Sequence, residues 1–218
     1  MDPHSGLAAE KGVSRVVGKI GSTVEGVVMR ENCPVMIVNP SIQTQTAEFK
    51  KIVVGIDFSV SCECALSFAV QLSKKSGGKI FPYHMIPVVP YPKYTRADYD
   101  ADLAVSKQRL KEFCGNFLNG VPHAYNIWGG ALPHQEIIKC AEKNKADMIV
   151  IGSHTKETNG KWYAGSVVER TGFRSNCPVI VVTDLDALLL WDVDTLSKAE
   201  IGKEKDRLIH VFSKKKSR

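Results

Sequence analysis

Lys51-Ile-Val-Val-Gly-Ile56, followed by Asp57-Phe-Ser59, is the stretch on which the fold turns. From Ile52 to Ile56 no side chain is polar, the mark of a strand covered on both faces in a parallel sheet. A strand with one wet face would alternate instead. The run stops at Asp57. Ala65, Leu66, Ala69 and Leu72 then recur at helical spacing, and Gly77-Gly78 supplies a C-terminal stop.

The same grammar repeats downstream. Lys79 to Ile86 reads as a second strand, although Pro82 inside it lacks the N–H that an interior strand needs, so a bulge or a shorter strand is expected. Tyr91 to Asp100 reads as a polar, tyrosine-containing loop and Leu103 to Leu118 as a helix. His123 to Trp128 is a third, weaker strand, closed by Gly129-Gly130. Pro133 suits the first turn of a helix with Ile137, Ile138 and Ala141 on its inner face. Asp147 to Ile151 is the fourth strand, a helix opens at Gly165-Ser166, and Val179 to Val182 is the fifth. This alternation predicts an α/β fold: a five-stranded parallel sheet with helices on both faces. Ligands of such sheets lie beyond the carboxyl ends of the strands, which singles out Asp57 and Gly152.

An internal repeat organises the rest. Gly21 to Val38 (GSTVEGVVMRENCPVMIV) and Gly165 to Val182 (GSVVERTGFRSNCPVIVV) match without gaps at an offset of 144 residues, with ten identities in eighteen positions. Each copy reads as a helix opening on Gly-Ser, an Asn-Cys-Pro turn and a β-branched strand. Residues 1–47 are therefore expected to be the closing part of an upstream domain whose beginning is absent. Such a fragment cannot bury its apolar face alone, so it is expected to dock on a partner chain or on the complete domain at 48–184. Residues 185–218 form an extension: Leu188, Leu189, Leu190 and Trp191 make an apolar patch ahead of a charged end, read as an added helix or a partner-docking segment.

Composition sets the outer bounds. With 218 residues, 44% hydrophobic and 24% charged, the chain has material for an ordinary core. No apolar run approaches the ~20 residues that span a bilayer, and Met1 to Lys11 lacks a signal peptide's apolar stretch, so a cytoplasmic protein without a membrane role is expected. The net charge of +6 falls to +2 once Lys214, Lys215, Lys216 and Arg218 are set aside, which argues against a nucleic-acid surface. The six cysteines form no C-x-x-C, and Cys62 and Cys64 stand as a lone C-x-C; reduced thiols packed as small apolar groups are expected, with no metal site.

Val54-Gly-Ile-Asp57-Phe-Ser59, Tyr83-His84-Met85, Ala146-Asp-Met-Ile-Val-Ile-Gly-Ser-His154, Gly165-Ser166 and Cys177-Pro-Val-Ile-Val-Val182 together resemble the universal stress protein family. The resemblance covers nearly all of residues 50–183. It implies a Rossmann-like sheet of strand order 3-2-1-4-5, a homodimer, a tandem arrangement with a shortened first domain, and a role in stress response with an unidentified protein partner. One branch of that family binds ATP through G-x-x-G-x9-G-[S/T]. Here the frame is Gly152-Ser-His-Thr155, nine residues, then Gly165-Ser166, with Thr155 in place of a glycine. Glycines let backbone N–H groups approach phosphate oxygens, and a helix N-terminus favours an anion. Thr155 keeps its N–H but adds a β-branch, costly where positive φ is needed.

By matching positions, the resemblance implies an adenine nucleotide, ATP or AMP, with Mg2+ where a triphosphate is held. Asp57 would meet the ribose or adenine end, Met85 and Ile151 would line the base pocket, and Gly152, His154, Thr155, Gly165, Ser166 and Val167 would border the phosphates. The plainer readings stand beside these: Asp57 capping the next helix, Met85 and Ile151 as core, His84 and His154 in local hydrogen bonds. No nucleophile–base–orienter set is visible, so catalysis beyond slow ATP hydrolysis is not indicated. The alternative function is a nucleotide-independent dimerisation or interaction module.

Overall fold

The computed structural model describes residues 34–39, 42, 48–87, 94–153 and 166–182. In chain order these form β1 (Val35–Ile37), β2 (Lys51–Gly55), α1 (Val60–Ser76), β3 (Lys79–Pro87), α2 (Arg96–Gly115), β4 (Asn126–Gly130), α3 (Pro133–Asn144), β5 (Met148–Gly152), α4 (Ser166–Arg174) and β6 (Val179–Val182). The helical part of the first repeat copy, and the extension from residue 185 onward, lie outside the described residues.

Five strands run parallel, and their continuous apolar sequences explain why. Ile52, Val53, Val54, Met148, Ile149 and Val150 are all fully buried, alternate residues going to opposite layers. One layer holds Ile52, Val54, Met148 and Val150 with Leu66, Phe68 and Ala69 of α1 and Leu110 and Cys114 of α2. The other holds Val53, Ile149, Val179 and Val181 with Ile137, Cys140 and Ala141 of α3 and Val168 of α4. The inner face of α3 is thus Ile137, Cys140 and Ala141 together with buried His134, whereas Ile138 is only half-buried.

Among the described residues the sheet has six strands, not the expected five. Its order is β1-β6-β5-β2-β3-β4, with β1 added antiparallel to β6 at one edge. β2 pairs with both β3 and β5, so chain order reverses direction between β2 and β5. Asp147 fixes that register from below: one carboxylate oxygen accepts from the N–H groups of both Lys50 and Lys51, each at 2.9 Å.

Two local expectations need correction. The segment expected to be loop as far as Asp100 becomes helical at Arg96, because Thr95 and Asp98 close a reciprocal capping box. Pro82 makes no bulge; it sits in regular register opposite Val54. Ile80 bridges His123 and Tyr83 pairs with Asn126, so the missing N–H at 82 falls toward Ala124. The Asn126 side chain donates to the Ala124 carbonyl instead, at 3.0 Å. That local bond supplies the acceptor's partner, and β4 proper starts later than expected, at Asn126.

Candidate functional site

α1 starts where it does because Ser59 caps it: the Ser59 hydroxyl accepts from the Cys62 N–H at 3.2 Å. Asp57 is not the cap. Its Oδ1 accepts from the Ser59 N–H at 3.0 Å, a two-residue turn that leads the chain off β2. Between them Phe58 takes φ 65, a conformation costly for a bulky side chain. Its ring is held by tertiary contacts, lying 4.4 Å from the His84 ring and 4.0 Å beneath the Arg109 guanidinium. The tight turn therefore depends on neighbours from β3 and α2.

The turn forms one wall of a cleft of about 430 Å3 beyond the carboxyl ends of β2, β3 and β5, within the usual size range of small-molecule sites. Gly55 contributes from β2, Ile56 and Asp57 from the turn after it, and His84, Met85 and Pro87 from β3. Ile151, Gly152 and Ser153 close it from β5, Pro133 and Ile137 from α3, and Val167 and Val168 from α4. Of the residues singled out from sequence, Asp57, Met85, Ile151, Gly152 and Val167 are brought together here. Ser166 opens α4, but its side chain is not described; His154, Thr155 and Gly165 lie outside the described residues. Sequence reasoning missed Cys62, Pro133, Ile137 and Val168 as cleft residues. They sit on three helices, and only the folded sheet carries those helix ends to one place.

Gly152 has a packing reason to be glycine. A Cβ there would stand 2.2 Å from the Ser61 carbonyl oxygen and 2.6 Å from the Cys62 nitrogen, so the first turn of α1 rests directly on it. His84 is committed locally as well, its Nδ1–H facing the Ile56 carbonyl at 2.8 Å. Burial holds its pKa below the ordinary 6.5, and the Arg109 charge adds to the effect. The environment therefore favours the neutral imidazole. Burial, assisted by the Asp57 charge, pushes the Cys62 thiol up to about 12, so it is an inert wall group and not a nucleophile. Among the described residues no three His, Cys, Asp or Glu side chains converge as a metal site, and no helix is long and apolar enough to cross a membrane.

The match to known proteins follows the same boundaries. The model of the universal stress protein family covers residues 48–183. The chain belongs to the universal stress protein family. Universal stress protein MJ0531 of Methanocaldococcus jannaschii is 30% identical over 155 residues, which are 67% of this chain and 89% of the relative. The solved structure of MJ0577, a second universal stress protein of that organism, superposes with a TM-score of 0.54 at 27% identity, covering 63% of this chain and 97% of the other. A universal stress protein structure from Archaeoglobus fulgidus gives a TM-score of 0.53 at 27% identity, covering 73% of this chain and 53% of its own. The universal stress domain thus accounts for β2 to β6, and β1 lies ahead of it.

Proposed function

We propose that the cleft takes an adenine nucleotide, ATP or AMP, and that occupancy makes this universal stress protein a regulatory or signalling module. The observation that carries this reading is the cleft's composition. Ile56, Met85, Ile137 and Ile151 offer apolar walls suited to a purine. Asp57 sets a carboxylate at the rim, suited to ribose hydroxyls. α4 begins at Ser166 beside the same cleft, and its N-terminal N–H groups suit a phosphate. Any Mg2+ would arrive with a triphosphate. The domain limits of 1–47, 48–184 and 185–218, the tandem origin of the first segment, the cytoplasmic location and a protein partner or second copy belong to the same proposal.

The test is to extract the purified protein, identify any co-purified nucleotide by mass, and titrate ATP and AMP with and without Mg2+ by calorimetry. Binding that is lost in Gly165→Asp supports the proposal. A protein that carries no nucleotide and gives no heat overturns it, and the second reading then stands: a nucleotide-independent interaction module. Two observations favour that second reading. Thr155 replaces a glycine of the phosphate frame, and Gly152 is already accounted for by its packing under α1.

A further inference from the structure

Phe58 stands in a left-handed backbone conformation, φ 65, between Asp57 and the helix cap Ser59. A bulky residue keeps such a conformation only where surrounding contacts enforce it. Here the ring supplies those contacts. The His84 ring lies 4.4 Å away and is itself held by its Nδ1 against the Ile56 carbonyl at 2.8 Å. The Phe113 ring meets Phe58 edge-on at 5.4 Å, and the Arg109 guanidinium covers it at 4.0 Å. Two of these three groups, Phe113 and Arg109, come from α2.

Arg109 is the exposed member of the set. Its neighbour Leu110 is fully buried, as is Cys114, and these two anchor this part of α2 on the sheet. A guanidinium on an aromatic face contributes an attraction of the same order as the cost of a strained turn. Removing it therefore shifts the balance between the strained turn and a relaxed one. Asp57 depends on the outcome. Its Oδ1 accepts from the Ser59 N–H at 3.0 Å across Phe58, and the residue lines the cleft. If Phe58 leaves φ 65, the chain on both sides rotates and Asp57 loses its orientation at the cleft wall. Apparent affinity then falls with the fraction of chains that keep the turn.

We propose that Arg109 is a positioning residue for the cleft: by holding the Phe58 ring it keeps the strained turn, and with it Asp57, in the binding arrangement. The inference rests on the nucleotide reading of the cleft. Among the described residues α2 lines no part of that cleft. The stack is thus a route by which an event on the exposed face of α2 reaches the ligand.

The test uses the full chain and calorimetry with ATP and AMP. Arg109→Ala should weaken the nucleotide that the intact chain binds by about two- to tenfold, the range of one cation–aromatic contact, with native circular dichroism. Arg109→Lys, which returns a cation to the ring, should recover most of the loss, and Arg109→Gln little of it. In a Phe58→Gly chain the ring is gone and glycine adopts the turn freely, so adding Arg109→Ala should change affinity no further. If Phe58→Gly does not fold, Phe58→Asn, which also tolerates this backbone, takes its place. A loss that persists undiminished without the ring overturns the proposal. So does a loss that vanishes in 1 M salt, where charges act over only about 3 Å, because that marks a long-range field effect. An intact chain that binds neither nucleotide overturns the nucleotide reading and this inference with it. An intact chain that binds, with Arg109→Ala binding equally well, overturns this inference alone.

Discussion

Asp57 accepts from the Ser59 N–H through Oδ1 and lines the cleft, and substitution separates its hydrogen bond from its charge. Asp57→Asn keeps an oxygen for the Ser59 N–H but removes the charge. If the ribose is held here, affinity for ATP should fall about tenfold, since a hydrogen bond to a charged group is worth roughly 1.5–3 kcal/mol and each 1.4 kcal/mol is a decade. The unfolding midpoint should not move, and calorimetry beside thermal denaturation reads both. His84 makes a pH prediction. Its folded-state pKa lies below the ordinary 6.5, through burial first and then the Arg109 charge, so the unfolded chain binds the proton more readily. Stability from this group is complete above pH 6.5 and declines as pH falls below it. His134 is displaced in the same direction, by burial and then by Arg170 and Arg174. Urea midpoints at pH 7.5 and 5 should therefore show an acid-side loss that His84→Gln reduces without abolishing. The identity of Asp57 as a site residue was legible from its place at the end of an apolar run. The commitment of His84 to Ile56 was not, because the two residues lie 28 positions apart in the chain.

Among the elements, α1 and β5 show how one residue can hold a motif position and carry a packing role as well. Gly152 looks like the first glycine of a phosphate frame, yet the first turn of α1 leaves no space for a Cβ. Gly152→Ala should destabilise the domain by roughly 1–3 kcal/mol, the usual cost of overpacking, and denaturant unfolding measures it. A loss of nucleotide affinity in that variant would accordingly report damaged packing. Helix boundaries behaved differently. The Thr95-x-x-Asp98 capping box was present in the sequence as a start signal, but the sparse apolar spacing of α2, with Leu110 and Cys114 its buried residues, masked it. Pro82 is the converse case: its local rule predicts a defect, and the side chain of Asn126, the first residue of β4, supplies the missing bond partner.

For the whole molecule, ligand binding and stability are linked. If the cleft is the nucleotide site, ATP at a hundred times its dissociation constant should stabilise the native state by about 2.7 kcal/mol. For a chain of this size that is roughly a 5–10 °C rise in Tm, readable by differential scanning fluorimetry; an unchanged Tm counts against the site. By itself the sequence determined that β2 and β5 are doubly covered parallel strands, because unbroken apolar runs such as Ile52–Ile56 can be buried only between two helical layers. It also determined that residues 21–38 and 165–182 match at ten of eighteen positions. Only the tertiary structure decided that one copy's strand pairs with the other's, about Met36 and Ile180, and that Cys62, Pro133, Ile137 and Val168 meet Asp57 and Ile151 around one cleft. The physical reason is range. Periodicity and capping are set by neighbours a few residues away, whereas strand order and a cleft wall are set by contacts among segments that the chain itself keeps far apart.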